Sequence, residues 1–333
     1  MKKLIFIEMI VLSVLLVVAV LISAKLDEQP TFSQNDITAS SDAATDTATE
    51  NQTATETEET QTDTTGATIP ADHQLTAKQY FVYDCNDRAY LLNSGTENDR
   101  IYPASITKLF TAYVAMYYLH PDAYYVIGDA IDMIDPDSSV AHLQKGDRLT
   151  ARQLIEGMLL TSGNDAAYVL ATEAGRVISG QADLDNESAV AVFMEEMNKR
   201  AKTLGMPNTH FTNPDGIHDP DHYTTPADLV TLASLCMTDN TIMRNAVVPE
   251  ADITLHGETV VWRNTNALIN PDSPYYSPYA LGLKTGQTSD AGSCLLSVFR
   301  KDGQFLIIGV FGSTSHTDRF ADTLQLFNPV TEA

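Results

Sequence analysis

The sequence predicts an α+β fold in which an antiparallel sheet packs against helices. Aromatic and β-branched runs at residues 79–84 and 89–92, with turn residues between them, predict one hairpin. Runs at residues 293–299 and 305–311 predict a second hairpin near the end of the chain. Segments with apolar residues at helical spacing occupy much of the interval between them. Strands on both sides of a helical region indicate the α+β class.

The first residues predict a membrane segment. Lys2 and Lys3 precede an apolar run at residues 4–24, and about 20 apolar residues suffice to span a bilayer. A cleaved signal usually has a shorter apolar core and small residues at its −1 and −3 positions, whereas Ile22 occupies −3 here. We therefore predict an uncleaved transmembrane signal-anchor at residues 1–26, with the remainder of the chain outside the membrane. A cleaved secretory signal is the alternative.

Residues 27–72 form a low-complexity tract rich in Thr, Ala, Ser, Gln, Asp and Glu, with eleven acidic residues and no Lys or Arg. Such a tract buries too little apolar surface to offset its ordering entropy, so we predict a disordered acidic stalk. Removing these eleven charges from the net charge of −24 leaves −13 for the rest of the chain. This acidic balance argues against nucleic acid or anionic lipid as a partner. The folded domain is predicted at residues 73–333.

One chemistry-bearing pair opens the helical region. Residues 106–119 are apolar nearly all round, which predicts a helix buried in the middle of the domain. Ser105 and Lys108 are three residues apart and share one face, so the lysine amine can reach the serine hydroxyl. Serine becomes a good nucleophile when a base takes its proton, and Lys108 can be that base only if its pKa is lowered. Alone the pair is weak evidence, because such spacings recur by chance.

A second short motif lies between two predicted helices. Residues 149–160, with Thr150 as the cap, predict one helix, and another begins at Asn164. Ser162, Gly163 and Asn164 therefore form a tight turn. Alone this turn is an ordinary helix-capping sequence, and capping and catalytic roles can coexist in it. Residues 122–147 mix short β-like runs with turn residues and give no clear prediction.

Two more helices follow. Residues 189–204 predict an amphipathic helix closed by a glycine. The next helix has Thr225 as its N-cap, Pro226 as its first residue and Asp228 closing a capping box, and it continues to Met237.

No metal or thiol chemistry is predicted. His218 and His222 lie among aspartates, but Pro220 between them forbids the helical geometry that would aim both rings at one ion. Carboxylate-rich turns are usually solvated loops. The cysteines stand singly in apolar surroundings, as buried small hydrophobic residues do, at Cys85, Cys236 and Cys294.

A third motif, Lys284-Thr285-Gly286, lies in a predicted strand beside the last hairpin, and a short helix at residues 317–327 ends the chain. The three motifs follow one another in the order that serine penicillin-binding enzymes use. Three short motifs in this order, each in a plausible structural context, are strong evidence for an enzyme of this kind.

Through these motifs the sequence resembles the D-alanyl-D-alanine carboxypeptidase family, the low-molecular-mass penicillin-binding proteins. The likeness covers about residues 79–327, and it extends to residues 211–217, 222–225, 264–266 and 291–292. It implies a β-lactamase/penicillin-binding-protein-like fold: a five-stranded antiparallel sheet flanked by helices, a helical lobe, and an active site in the cleft between them. Many members add a β-rich domain and a C-terminal amphipathic anchor, whose place the N-terminal span is expected to take.

The resemblance also implies roles in acyl transfer. Ser105 would attack the carbonyl between the last two D-alanines, and Lys108 would accept its proton. Lys284 would supply the positive charge that keeps Lys108 neutral often enough to act. Ser162 would pass a proton to the departing amine, and Asn164 would bond the substrate backbone or Lys108.

The strand of the third motif completes the implied site. Backbone N–H groups of Ser105 and Gln287 would form the oxyanion hole. Lys284 and Thr285 would hold the terminal carboxylate of the substrate, beside Gly286. No cofactor is needed. Peptidoglycan stem pentapeptide is the expected substrate, and β-lactams are the expected covalent inhibitors.

Three different functions stay open on the sequence alone. A serine β-lactamase would need an additional carboxylate for deacylation, and no Glu-x-x-Leu-Asn follows the second motif. A DD-endopeptidase would use the same site on cross-links. An inactive wall-binding or sensor module is disfavoured by the intact Ser105, Lys108, Ser162 and Lys284.

Overall fold

The computed structural model describes residues 74–331. The predicted anchor at residues 1–26 and the predicted stalk at residues 27–72 lie outside the described residues. Within residues 74–331, no helix combines the length and the hydropathy that crossing a bilayer requires.

The strands are, in chain order, β1 Gln79–Asp84, β2 Ala89–Asn93, β3 Tyr124–Val126, β4 Arg148–Thr150, β5 Glu250–Leu255, β6 Glu258–Arg263, β7 Ala280–Thr288, β8 Gly292–Lys301 and β9 Gln304–Ser313. The α-helices are α1 Thr107–Tyr118, α2 Ala151–Leu160, α3 Asn164–Ser179, α4 Asn186–Thr203, α5 Pro226–Thr238, α6 Asn240–Val247 and α7 Asp318–Thr331. Short 3-10 turns occur at Ala104–Ile106, Asp129–Met133 and Ala267–Ile269.

The main sheet has five antiparallel strands in the order β2-β1-β9-β8-β7. Both predicted hairpins are present, and β7 with the third motif pairs with β8 as expected. The predicted α+β class is therefore confirmed. The order makes β7 an edge strand of this sheet, so its outer backbone groups face the neighbouring cleft instead of another strand.

Helices cover both faces of the sheet. Successive side chains on β8 point to opposite faces, so each face has apolar residues that the helices bury. Leu296 and Val298 belong to the core shared with the helical lobe, whereas Leu295 and Phe299 pack with α7. Phe299 stacks on Phe327 with ring centroids 4.3 Å apart. Each buried side chain of this size contributes about 1.5–3 kcal/mol.

Helix α1 is buried over most of its length, as its apolar sequence predicted. Around it lie helices α2 to α6, which form the helical lobe. Two of the cysteines, Cys236 and Cys294, are fully buried in these cores, and Cys85 is half-buried. This placement agrees with the reading of the cysteines as small hydrophobic residues.

Several element boundaries differ from the predictions. Helix α4 begins at Asn186, before the predicted residue 189, because the Asp185 side chain accepts a hydrogen bond from Ser188 N. Thr225 caps α5 as predicted, through a hydrogen bond from Asp228 N. The Asp228 carboxylate accepts hydrogen bonds from the loop at Asn208 N and Thr209 Oγ1, so it joins the helix to that loop.

Two regions were not predicted. Residues 122–147 contribute strand β3, which pairs with β4 in a small two-stranded sheet. Residues 240–263 form α6 and the hairpin of β5 and β6, which makes another small sheet. Strand β5 alternates polar and apolar residues and His256-Gly257 forms the turn, so a local sequence signal for this hairpin existed. Its buried Trp262 has a distant partner, since Nε1 donates to Ala141 O at 3.0 Å.

The cap of α2 generates a test of stability. Thr150 Oγ1 accepts a hydrogen bond from Gln153 N, and Gln153 Oε1 accepts one from Thr150 N. We expect Thr150→Ala to lower the free energy of unfolding by about 1 kcal/mol, because the helix loses its cap. Thr150→Ser keeps the hydroxyl and should stay close to wild type in urea unfolding. Equal losses in both variants would mean that the methyl group, and not the cap, stabilises this end.

Candidate active site

Ser105 lies in a 3-10 turn that leads directly into α1. Two glycines let neighbouring chain segments close on this turn. A Cβ atom on Gly216 would lie 1.9 Å from Ala104 O, and one on Gly286 would lie 3.0 Å from Ser105 N. The turn that contains Ser105 therefore packs between the loop at residues 213–217 and the edge strand β7.

Lys108 is fully buried below this turn. Its Nζ donates to Ser105 Oγ at 2.8 Å and to Asp215 O at 2.7 Å. Burial lowers the pKa of Lys108 to about 8, against smaller opposing effects of the Asp215 and Asp165 carboxylates. The expected contact between the lysine amine and the serine hydroxyl is present. A lysine with this pKa has a substantial neutral fraction near neutral pH, which a proton acceptor requires.

Lys284 is also fully buried, and its Nζ donates to Thr285 O at 3.1 Å. Burial lowers its pKa well below the ordinary lysine value, and repulsion from Lys108 and Arg319 lowers it further. The expected electrostatic interaction between the two lysines is therefore seen in the lowered pKa of Lys284. Burial, which the apolar residues around Lys108 predicted, is the main cause of the lowered pKa of Lys108.

Thr285 joins the third motif to the end of the second helix. Its hydroxyl lies 2.6 Å from Thr265 Oγ1, and Thr265 N donates to Leu160 O at 3.1 Å. Leu160 is the last residue of α2, just before the second motif. Thr265 therefore links the two walls of the cleft.

Ser162 and Asn164 lie in the turn between α2 and α3. Ser162 is buried and has a φ of 61°, in the left-handed region, and none of the described residues forms a hydrogen bond with its hydroxyl. Asn164 Nδ2 donates to Ser138 Oγ at 2.8 Å. The alternative of a contact from Asn164 to Lys108 is not what the structure shows, because Lys108 Nζ is directed to Ser105 and Asp215.

Gln287 follows the third motif on β7, where its residue is exposed and pairs in register with Ser293 of β8. Gly286, which has no side chain, allows β7 to approach the Ser105 turn. The structure thus brings Ser105, Lys108, Lys284, Thr285 and Gly286 to one place at the edge of the sheet.

Arg319 was missed by sequence reasoning. It lies in the first turn of α7, is buried, and donates from Nη1 to Gly286 O at 3.0 Å. Burial lowers its pKa to about 10. A signal existed, because the helix dipole disfavours cations in a first turn, so an arginine there needs a specific partner.

The histidines do not converge. His222 is buried, its Nε2 lies 2.8 Å from Thr107 Oγ1, and burial lowers its pKa to about 3, so the ring is neutral. His218 instead faces Asp290, with Nε2 3.7 Å from Oδ1. Among residues 74–331 there is no group of three or more His, Cys, Asp or Glu side chains arranged to hold a metal ion.

A serine hydroxyl hydrogen-bonded to a buried lysine, beside an edge strand that carries a second buried lysine, is typical of serine enzymes that form an acyl-enzyme. The chain belongs to the D-alanyl-D-alanine carboxypeptidase family, whose sequence profile matches residues 63–315. The family predicted from the three motifs is confirmed, together with its enzyme class.

Relatives support this assignment. The D-alanyl-D-alanine carboxypeptidase of Streptomyces sp. strain K15 is 34% identical over 257 residues, which cover 72% of this chain and 84% of that protein. DacA of Haemophilus influenzae is 31% identical and DacF of Bacillus subtilis 28% identical, with 78% and 73% of this chain covered. The matches span 62% and 59% of those two proteins.

Solved structures agree with the fold. The crystal structure of the Streptomyces K15 DD-transpeptidase has a TM-score of 0.68 at 31% identity, covering 79% of this chain and 98% of that one. Penicillin binding protein 5 from Haemophilus influenzae has a TM-score of 0.63 at 28% identity, covering 77% of this chain and 70% of that one. The predicted fold family is confirmed by these likenesses.

The close packing at Gly286 generates the next prediction. Gly286→Ala should push β7 away from the Ser105 turn, because its Cβ would crowd Pro103 O and Ser105 N. We expect acylation of Ser105 by penicillin to slow at least about tenfold, since small misplacements of reacting groups are costly. Gly128→Ala is the control, because a Cβ there meets nothing within 4 Å. Wild-type acylation in Gly286→Ala would show that the contact does not position Ser105.

Proposed function

We propose that this chain is a serine D-Ala-D-Ala carboxypeptidase that removes the terminal D-alanine from peptidoglycan stem pentapeptides through an acyl-enzyme on Ser105. The observation that carries the proposal is the hydrogen bond between Ser105 Oγ and the buried amine of Lys108. The family assignment supports the same reaction.

Acylation begins when the neutral amine of Lys108 accepts the proton of the Ser105 hydroxyl. The serine oxygen then bonds to the carbonyl carbon between the last two D-alanines. Asp215 O accepts a hydrogen bond from Lys108 Nζ, so the amine is held in place while it gains the proton. Backbone N–H groups of Ser105 and Gln287 stabilise the developing oxyanion, a contribution of about 3 kcal/mol per donor.

The remaining steps use the walls of the cleft. Ser162 passes a proton to the departing D-alanine amine and regains one from the protonated Lys108, which returns to its neutral form. Asn164 forms a hydrogen bond with the backbone of the substrate. Arg319 places a guanidinium beside Gly286 of β7, and the Lys284 amine and the Thr285 hydroxyl can donate hydrogen bonds, which suits a carboxylate on the leaving residue. Water then hydrolyses the ester on Ser105. Neither metal nor cofactor has a role in this scheme.

A transpeptidase is the second candidate, because the structurally similar Streptomyces K15 protein carries that name. The two reactions share the acyl-enzyme and differ only in whether water or an amine accepts the acyl group. A DD-endopeptidase, a β-lactamase and an inactive module also stay open, and each predicts a different result with penicillin or with cross-linked substrate.

The first test is covalent labelling. Penicillin mimics the terminal dipeptide, so intact-mass analysis should show one slowly hydrolysed adduct on the wild-type chain. The adduct should be absent in Ser105→Ala, whereas Ser289→Ala, an exposed serine beyond β7, should label normally. An adduct that persists in Ser105→Ala would refute the nucleophile. Rapid turnover of penicillin by the wild type would indicate a β-lactamase.

The second test separates the reaction types. Cleavage should need a free carboxylate next to the scissile bond. Amidating the pentapeptide terminus should therefore lower kcat/KM about thirtyfold, which corresponds to a loss of about 2 kcal/mol in transition-state stabilisation. Thr285→Val should narrow the difference between acid and amide. Faster cleavage of cross-linked dimers than of pentapeptide would instead identify an endopeptidase. Product transfer to an added amine would identify a transpeptidase.

We also propose that the catalytic domain works outside the cell membrane, held by an uncleaved helix at residues 1–26 and a stalk at residues 27–72. The apolar run and the two lysines before it support the anchor. N-terminal sequencing of membrane-derived protein should find Met1. A new N-terminus near Lys25 would mean a cleaved signal and a released enzyme.

A further inference from the structure

Asp165 directly follows the second motif and is a buried carboxylate whose described partners are backbone groups. Its Oδ1 accepts hydrogen bonds from Ala141 N at 2.8 Å and from Ala166 N at 2.9 Å, and its Oδ2 accepts one from Leu143 N at 3.0 Å. Placing an ionised group in the interior is costly unless hydrogen bonds satisfy it. Both oxygens of Asp165 are satisfied in this way, and two of the three donors belong to the loop that precedes α2.

The loop that Asp165 holds is the partner of Asn164. Asn164 N donates to Ser139 O at 2.8 Å, and Asn164 Nδ2 donates to Ser138 Oγ at 2.8 Å. The loop approaches so closely that a Cβ on Gly163 would lie 2.9 Å from Ala141 N. Contacts therefore run from Asp165 to residues 141 and 143, and from residues 138 and 139 back to Asn164.

We propose that Asp165 is a positioning residue for acyl transfer: it fixes the loop at residues 138–143, and that loop fixes the carboxamide of Asn164 at the wall of the cleft. The inference rests on the proposed function, because it assigns a purpose to Asn164 only if Ser105 is acylated. Asp165 itself touches neither Ser105 nor Lys108 through a hydrogen bond.

Asp165 also acts on the proton acceptor through space. The charged and titratable groups that interact with Lys108 are Asp215, Asp165, Lys284 and His222. Burial is the main influence on the pKa of Lys108, and the negative charge of Asp165 opposes it by raising that pKa. Neutralising Asp165 therefore lowers the pKa of Lys108 and makes the amine neutral at lower pH.

The experiment compares Asp165→Asn with Asp228→Asn in the intact chain. Both aspartates are in the first turn of a helix, both are 2% exposed, and both accept hydrogen bonds from a loop: Asp165 from Ala141 N and Leu143 N, and Asp228 from Asn208 N and Thr209 Oγ1. The measured quantity is the second-order rate of penicillin acylation per folded molecule, as a function of pH. We expect Asp165→Asn to lose about tenfold or more at its optimum, because a buried N–H loses its acceptor and the loop shifts.

The pH profile separates positioning from simple destabilisation. In Asp165→Asn the rising limb should move to lower pH, whereas in Asp228→Asn both the rate and the limb should match wild type. Ser138→Ala provides a second route if Asp165→Asn fails to fold, because it removes only the partner of Asn164 Nδ2 and should slow acylation several-fold.

Three outcomes overturn the proposal. The first is a wild-type acylation rate in Asp165→Asn with the rising limb of the pH profile unchanged. The others are equal losses of acylation rate in the two aspartate variants, or a wild-type acylation rate in Ser138→Ala. Absence of labelling in the wild-type chain would refute the proposed function instead. The two failures are therefore distinguishable.

Discussion

The burial of the Lys108 amine is the constraint on which the rest of the site depends. A serine hydroxyl reacts only when a nearby base accepts its proton, and lysine is such a base only in a dry environment. The apolar helix α1 and the loop at residues 213–217 provide that environment, and the carbonyl of Asp215 fixes the amine within it. Burial also depresses the pKa of Lys284, which favours its neutral amine, so the two lysines can lie close together with less charge repulsion than two buried cations would have.

Close packing of the neighbouring segments sets the geometry around the Lys108 amine. Gly216 lets the loop at residues 213–217 approach the Ser105 turn, and Gly286 lets β7 do the same. The neutral ring of His222 contacts Thr107, the first residue of α1. Thr265 connects the helical lobe to β7. The three motifs are distant in sequence, and these few contacts bring the first and third together at one edge of the sheet.

Local sequence signals predicted much of this arrangement. The two hairpins of the main sheet follow from aromatic and β-branched runs separated by turn residues, and the starts of α2 and α5 follow from the hydroxyl caps at Thr150 and Thr225. Both signals involve neighbouring residues. The hairpin of β5 and β6 was missed although β5 alternates polar and apolar residues, and only the position of its Trp262, held by Ala141 far away in sequence, lay beyond local signals. Arg319 was missed because its partner, Gly286 O, is distant in sequence. The apolar residues around Lys108, in contrast, predicted the burial that lowers its pKa.

The most direct test of the central claim is the titration of Lys108 itself. Lysine labelled with carbon-13 at the ε position reports ammonium ionisation by NMR, and Lys108→Arg identifies the resonance by its loss from the spectrum of the intact chain. Burial predicts a midpoint near 8. A midpoint near the ordinary lysine value of 10.5 would contradict the account, because Lys108 would then remain charged where Ser105 needs a base.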